Sequence, residues 1–339
     1  YFLPSLIESY GLNAIYALGI GVFIGGLVQL FIQVPILIKN GYGPTLDLKV
    51  ISAHTKKIFN RMGVGMIGIA GNQINLLVST ILATGTIEGA VSWLFYGFRL
   101  FQFPVGVLGI SLAGSSLVHF SDHWKKGDKE AAKKVFITSY LLSFAIMLPS
   151  FVCLYFLAGP IVKLIYERGA FSAHDTLMSA MAMKYYLIGL PFYGLYKICA
   201  PIFYALDKPK TTVKISLIGV AINIVFCLLL TPKYGFAILA LGTSLVMIFN
   251  SICQCVCLTF DLKLRLNDFF NLRFFKILFC SLLCAVYLFF MRDLLLGETL
   301  GFWSLLARIF TCAFSMGIIY VLLLALMGEF KFLFKQIKK

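Results

Sequence analysis

Carboxylates are scarce in this chain. Its 339 residues hold 14 Asp and Glu against 29 Lys and Arg. Every acid falls in a hydrophilic connection or at the end of an apolar run. With none at the centre of an apolar run, coupling to protons or sodium through a buried carboxylate has no support in the residues. Histidine is scarcer still: His54, His119, His123 and His174 are scattered through connections and run boundaries. A membrane-embedded transferase or protease needs acids, a histidine cluster or a nucleophile beside a base near the interface. None of these is apparent, so catalysis is the weakest reading, and no metal or cofactor is expected.

Charge of either sign makes up only 13% of the chain, while 60% is hydrophobic. That balance excludes a soluble globular domain and describes a polytopic membrane protein. The net charge of +15 does not point to nucleic acid, because the basic residues sit in short connections between apolar runs. The nine cysteines all lie within apolar segments and read as small buried hydrophobes, not as a disulfide framework. Cys253, Cys255 and Cys257 alternate at i, i+2, a spacing that turns successive side chains to opposite sides of a helix and argues against a metal site there.

Nine apolar runs are long enough to cross a hydrocarbon core of about 30 Å at about 1.5 Å per residue. They cover residues 12–38, 58–84, 89–118, 135–158, 178–206, 212–231, 236–260, 274–291 and 302–328. The expected fold is therefore an all-α polytopic integral membrane protein with nine transmembrane helices. Basic residues alternate between the connections. Lys39, Lys49, Lys56, Lys57 and Arg61 follow the first span, and residues 83–90 hold none. Lys125, Lys126, Lys129, Lys133 and Lys134 follow the third span, and only Lys163 and Arg168 follow the fourth. The pattern continues to a tail with Lys331, Lys335, Lys338 and Lys339. By the positive-inside rule the odd-numbered connections and the C-terminus are cytoplasmic.

That orientation puts Tyr1 outside, with no signal peptide to carry it there, so an odd number of spans is expected to precede it. An internal repeat suggests how many. Residues 10–19 read YGLNAIYALG and residues 234–242 read YGFAILALG. The match pairs span one with span seven and implies a six-helix repeat, as many transporters have. Five helices would then be missing ahead of this chain, and five is odd.

The stretch around which the chain is organised is residues 91–113, VSWLFYGFRLFQFPVGVLGISLA. Arg99 lies near its middle with no acid in the run, and Pro104 follows five residues later. A guanidinium at bilayer depth costs at least about 2.5–3.5 kcal/mol, so it normally faces a protein-lined cavity or a partner. The alternative is snorkelling to the headgroups. Tyr96, Arg99, Gln102 and Phe103 share one helix face by the i, i+3, i+4 rule. Pro104 removes a backbone donor and is expected to kink the helix beside a cavity.

Two further spans carry polar groups. In span five, Tyr186, Tyr193, Lys197 and Tyr204 fall on one stripe of a helical wheel. Such a stripe fits a wet interior face, or Lys197 snorkelling past Tyr204. In span two, Asn72, Asn75 and Ser79 share a face, suited equally to interhelical hydrogen bonds or to ligand contact. Ser172 and Asp175 match a capping box opening span five. Residues 119–134 and 264–276 mix charges with aromatics and are expected along the inner interface.

SWLFYGFRLFQFPVGVLGISLAG resembles the eighth transmembrane helix of the MurJ (MviN) lipid II flippases, of the MOP exporter superfamily. IYERGAFSAHDT resembles their approach to helix ten, APIFYALDKPKTTVKISL the junction of helices ten and eleven, and ALGIGVFIGGLVQLFIQVP helix six. The resemblance runs through essentially the whole chain. It implies fourteen helices in two six-helix lobes plus two C-terminal helices, with helices one to five absent here. Residues 1–40 would be the last helix of the N-terminal lobe, 41–57 a cytoplasmic linker, 58–262 the C-terminal lobe, and 263–339 the two extra helices and a basic tail.

The implied activity is alternating-access transfer of the undecaprenyl-diphosphate-linked peptidoglycan precursor across the bacterial inner membrane. The implied partners are that precursor, membrane lipids and the missing N-terminal helices, not nucleic acid. Arg99 would line the cationic cavity with Tyr96, Gln102 and Lys197, and Asn72, Asn75, Ser79 and Tyr193 would offer further polar surface. Gln102 stands where some relatives have glutamate. Ser79 and Cys227 stand where some have sodium-binding carboxylates. Spans eight and nine would form a hydrophobic groove for the lipid tail. The alternatives are another exporter of the superfamily, of drugs or of a different lipid-linked oligosaccharide, and, from another class, a channel or membrane scaffold.

Overall fold

The computed structural model describes residues 15–41, 53–296 and 301–329, together with Ile7 and Asn13. The basic tail lies outside the described residues. Helices account for the described architecture, and no strand occurs among these residues. The chain divides into two compact units, Tyr1–Asn60 and Arg61–Lys339.

The first unit contains α1 (Ile15–Lys39), which carries Pro35 within it and Lys39 in its last turn. α2 (Ala53–Thr84) begins in this unit and continues into the second.

The second unit is a helical bundle. α3 (Ala90–Pro104) passes through a π-helical turn, Val105–Gly109, into α4 (Ile110–Lys125). α5 (Lys129–Phe156) is followed by the short α6 (Ala158–Tyr166), and then by α7 (Ala173–Leu187) and α8 (Leu190–Ala205). α9 (Pro209–Tyr234) and α10 (Ala237–Leu262) pack closely against each other. A single turn, α11 (Leu266–Phe269), leads to α12 (Leu272–Leu296) and α13 (Phe302–Leu326).

Seven helical stretches among the described residues are long and apolar enough to cross a membrane, and α7 with α8 makes an eighth if the bent pair is one span. Within α2 the stretch Gln73–Thr84 is a shorter apolar helix. The expected fifth span, 178–206, is thus not one straight helix: it bends by 48° at Ile188 and Gly189. Pro191 has no N–H to continue the ladder. Gly189 donates instead to Tyr186 O at 3.1 Å. Ser244 on α10 satisfies the carbonyls at the break, with its hydroxyl 2.6 Å from Tyr185 O and 2.9 Å from Tyr186 O. A Cβ on Gly189 would stand 2.9 Å from the Ser244 Cα, so only glycine lets the two helices approach this closely.

Pro104 is expected to kink its helix; the stretch Ala90–Lys125 instead continues as one span, and the response is local to the ladder. The helix slips into one π-type turn in which Ile110 N–H bonds to Val105 O, five residues back, and then returns to α-helix. At the opposite end of the chemistry, the capping box is present: Ser172 accepts from Asp175 N–H while the Asp175 carboxylate accepts from Ser172 N–H. Residues 119–134 carry the turn between two helices. α4 runs to Lys125 and α5 starts at Lys129 with Asp128 as its cap, so the stretch is a tight helical hairpin.

Two apolar cores hold the bundle. One gathers Phe120, Phe136, Ile198, Ile202 and Cys280 between α4, α5, α8 and α12. The other gathers Trp93, Phe101, Met147, Met183 and Leu239 between α3, α5, α7 and α10. α12 and α13 lie against α5, where Tyr320 donates to Ala145 O at 2.7 Å. All nine cysteines are free thiols, and five of them are buried.

Candidate substrate cavity

α3 presents two contrasting faces. Trp93, Leu94, Gly97 and Phe101 are buried against the bundle, whereas Phe95, Arg99, Gln102 and Phe103 are exposed. Phe103 is 70% exposed, more than half of it uncovered at the middle of an apolar helix. The Arg99 guanidinium lies over the Phe95 ring, 4.8 Å from its centroid, in a cation–π contact one helical turn away. Among the described residues it makes no ion pair.

Of the four residues expected on this face, Arg99, Gln102 and Phe103 are open. Tyr96 is half-buried and turns aside. Its ring packs 4.7 Å from Tyr166 and 5.3 Å from Phe171. These rings border a cavity of about 440 Å³ at the start of α3. There Trp93 donates its indole N–H to Asp175 Oδ1 at 2.7 Å, tying α3 to the capped start of α7. Burial pushes the Tyr166 phenol up from its ordinary value, and the charge of Arg99 pulls it back.

Lys197 is half-buried on α8, with Nζ 5.2 Å from the Tyr193 ring centroid. Tyr193 in turn meets Phe101 of α3 edge-on at 5.6 Å. Because Phe101 lies on the packed face of α3, this chain leads away from the Arg99 face. No hydrogen bond, ion pair or ring contact links Arg99 to Lys197 among the described residues. The expected stripe of Tyr186, Tyr193, Lys197 and Tyr204 is also broken by the bend. Tyr186 lies before it and is buried against Phe98 and Phe101, whereas Tyr204 lies after it and is exposed.

On α2, Asn75 is half-buried and accepts from Asn223 Nδ2 of α9 at 2.7 Å, which is an interhelical hydrogen bond. Ser79, one turn on, is half-buried. The Asn72 side chain lies outside the described residues. Cys227 is buried and its thiol donates to Asn223 Oδ1 at 3.5 Å. Sequence reasoning missed Asn223 and also Gln254, whose amide donates to Thr212 Oγ1 at 2.8 Å. A polar residue in an apolar run was the available signal for both.

A family model described as Lipid II flippase MurJ matches residues 2–326. A probable lipid II flippase MurJ of Buchnera aphidicola subsp. Acyrthosiphon pisum is 29% identical over 334 residues, which cover 96% of this chain and 64% of that protein. A protein of the same description from Rickettsia prowazekii is 34% identical over 231 residues, 68% of this chain and 45% of its own length. The chain therefore spans less than two-thirds of the length of these relatives. In fold, it is similar to a solved structure of lipid II flippase MurJ in an inward closed conformation, with a TM-score of 0.72 at 24% identity over 96% of this chain and 64% of that one. An outward-facing MATE transporter of the MOP superfamily matches less closely, with a TM-score of 0.53 at 15% identity over 80% of this chain and 65% of its own. With a family match running almost from end to end over a bundle of membrane-length helices, this chain belongs to the MurJ lipid II flippase family, as a multi-pass membrane protein.

Proposed function

We propose that this chain serves in moving the undecaprenyl-diphosphate-linked peptidoglycan precursor from the inner to the outer leaflet of the bacterial inner membrane, by alternating access and without catalysis. The observation that carries the reading is Arg99: a cation on the open face of an apolar helix, without an ion pair among the described residues. A diphosphate headgroup cannot cross hydrocarbon unaided, and a cationic cavity replaces part of its hydration. Arg99, with Gln102 beside it, is the residue assigned to the diphosphate. Tyr96, Lys197 and Tyr193 are assigned to further polar surface that the substrate meets apart from the Arg99 face, Tyr96 beside Tyr166 and Lys197 beside Tyr193. Asn72, Asn75 and Ser79 are assigned to a polar face of the cavity, where Asn75 also bonds to Asn223 across helices.

In this reading the protein has fourteen helices. Residues 1–40 end an N-terminal lobe, 41–57 link the lobes in the cytoplasm, 58–262 form the C-terminal lobe, and 263–339 add two helices and a cytoplasmic basic tail. The open face of α3 would line the substrate path. α12 and α13 would hold the polyprenyl tail, which never needs to leave the membrane. Membership of the flippase family favours the lipid-linked substrate over the drug-exporter alternative. The test is precursor exposure on the outer leaflet in cells depleted of their own flippase and supplied with the full-length protein. Export of the precursor is expected. Normal membrane levels without export would sink the proposal.

A further inference from the structure

The seam between the bent span and α10 is made of small side chains that reach across in register. Ser244 donates to the Tyr185 and Tyr186 carbonyls at the bend, and Ser251, two turns on, donates to Phe192 O. One turn beyond Ser251 the seam changes chemistry. The Cys199 sulfur of α8 and the Cys255 sulfur of α10 stand 3.7 Å apart, in thiol–thiol contact. Among the described residues no other two cysteines share a hydrogen bond: Cys280 meets the Met327 sulfur, Cys284 faces Met316 O, and Cys227 turns to Asn223.

The two thiols are unequally placed. Cys199 is fully buried in the core beside Ile198 and Ile202, whereas Cys255 is half-buried. Tyr140 lies beside both, close enough for its phenol to interact electrostatically with each. The Ser251 bond, one turn away, pins α10 to α8 and holds the sulfurs in reach of each other. A disulfide needs about 2.05 Å between its sulfurs, so the pair must close by roughly 1.7 Å, a distance that rotation about the two Cα–Cβ bonds can cover.

We propose that Cys255 and Cys199 form a reversible oxidation site, an attacking and a resolving thiol that staple α8 to α10 when a membrane-permeant hydroperoxide reaches them. The more accessible Cys255 sulfur attacks the hydroperoxide; an S–O bond forms, the O–O bond breaks, and the departing oxygen takes the thiol proton. Cys199 then attacks the Cys255 sulfenic acid. The S–S bond forms, the S–O bond breaks, and the hydroxyl leaves as water with the Cys199 proton. The thiols lose two electrons and the hydroperoxide gains them. A dithiol reductant reverses the link by exchange. The staple lies beyond the bend at Ile188 and Gly189 and ties α8, which carries Lys197, to α10, so the bent span can no longer shift along its neighbour. On the flippase reading, on which this consequence rests, oxidation halts transport and reduction restores it.

The full-length protein in proteoliposomes separates the chemistry from the transport. After hydrogen peroxide and alkylation of the remaining thiols, mass spectrometry of peptides is expected to show Cys199 linked to Cys255, and dithiothreitol to release them. In Cys199→Ser the Cys255 sulfenic acid should persist and be trapped by dimedone; in Cys255→Ser neither the link nor a dimedone adduct at Cys199 should appear. Translocation of the lipid-linked precursor should be lost on peroxide treatment of the wild type, return with dithiothreitol, and survive peroxide in Cys199→Ser. Cys253→Ser, a neighbour outside the contact, should stay sensitive. Cys199 and Cys255 both still open to alkylation after peroxide would overturn the oxidation site, and a complete disulfide that leaves translocation unchanged would overturn the staple. A disulfide that forms in a protein unable to translocate even when reduced would sink the flippase reading and leave the thiol pair standing.

Discussion

The Arg99 guanidinium sits 4.8 Å from the centroid of Phe95, four residues earlier on the same exposed face. A ring quadrupole steadies a cation but does not neutralise it, so the full charge is left for an anion. Arg99→Ala in the full-length protein should therefore abolish precursor export at unchanged membrane level, and the span should insert more easily by about 2.5–3.5 kcal/mol. Arg99→Lys keeps the charge and loses the planar fork that pairs with phosphate oxygens. Export by the lysine variant should fall by about tenfold, equivalent to about 1.4 kcal/mol. A fully active alanine variant, read by outer-leaflet precursor labelling, would remove Arg99 from the mechanism.

The Trp93–Asp175 bond of 2.7 Å and the capping box of α7 share one carboxylate. Asp175→Ala breaks both at once. It should lower stability by about 1–3 kcal/mol, the sum of a lost cap and a stranded indole donor. Asp175→Asn keeps an acceptor for Trp93 and should cost less. Thermal unfolding in detergent would read the ranking, and equal melting of wild type and Asp175→Ala would contradict it.

Gly97 and Gly106, on opposite faces of the stretch Ala90–Lys125, offer a matched pair. A Cβ on Gly97 would lie 2.9 Å from Met183 N and 3.0 Å from Ser179 O, backbone atoms of α7 that cannot yield. A Cβ on Gly106 would meet nothing within 4 Å. Gly97→Ala should destabilise the bundle by about 1–3 kcal/mol, whereas Gly106→Ala should fold as well as wild type or slightly better, since glycine in a helix costs about 1 kcal/mol. Indistinguishable unfolding curves for the two variants would mean that the α3–α7 approach is looser than the structure has it.

Much of this was legible in the sequence because it depends on local chemistry. Ser172 and Asp175 lie three residues apart and cap a helix wherever that helix goes. Pro104 lacks its donor in any context, and Arg99 is conspicuous in an apolar run. The bend of α7 into α8 was not legible, because the residues through GLPF remain apolar across it and the stabilising hydroxyl, Ser244, comes from 58 residues away. That bend is why Tyr186 left the expected stripe. Asn75 and Asn223 are 148 residues apart, so Asn75 alone could not reveal whether its partner was a helix or a ligand. The aromatic pocket was hidden for the same reason: α3 supplies one wall, and the turn after α6 supplies the other.

α13 gives the last test. Leu305, Ile309, Cys312, Met316, Tyr320 and Leu324 are buried, a stripe at three- and four-residue spacing that packs on α12 and α5. Tyr287 of α12 also donates to Ser315 Oγ at 2.8 Å. Ala307 lies exposed, and a Cβ on Gly317 would meet nothing within 4 Å. Large side chains at these two positions should therefore be accepted by the fold. If α12 and α13 hold a polyprenyl chain, Ala307→Trp and Gly317→Trp should weaken binding of undecaprenyl phosphate by about tenfold at unchanged melting temperature. Cys312→Trp is the control for the packed face: overpacking at a fully buried thiol should destabilise the protein by about 1–3 kcal/mol or more. Unaltered lipid affinity in both open-face variants, with the control behaving as stated, would place the tail elsewhere on the protein.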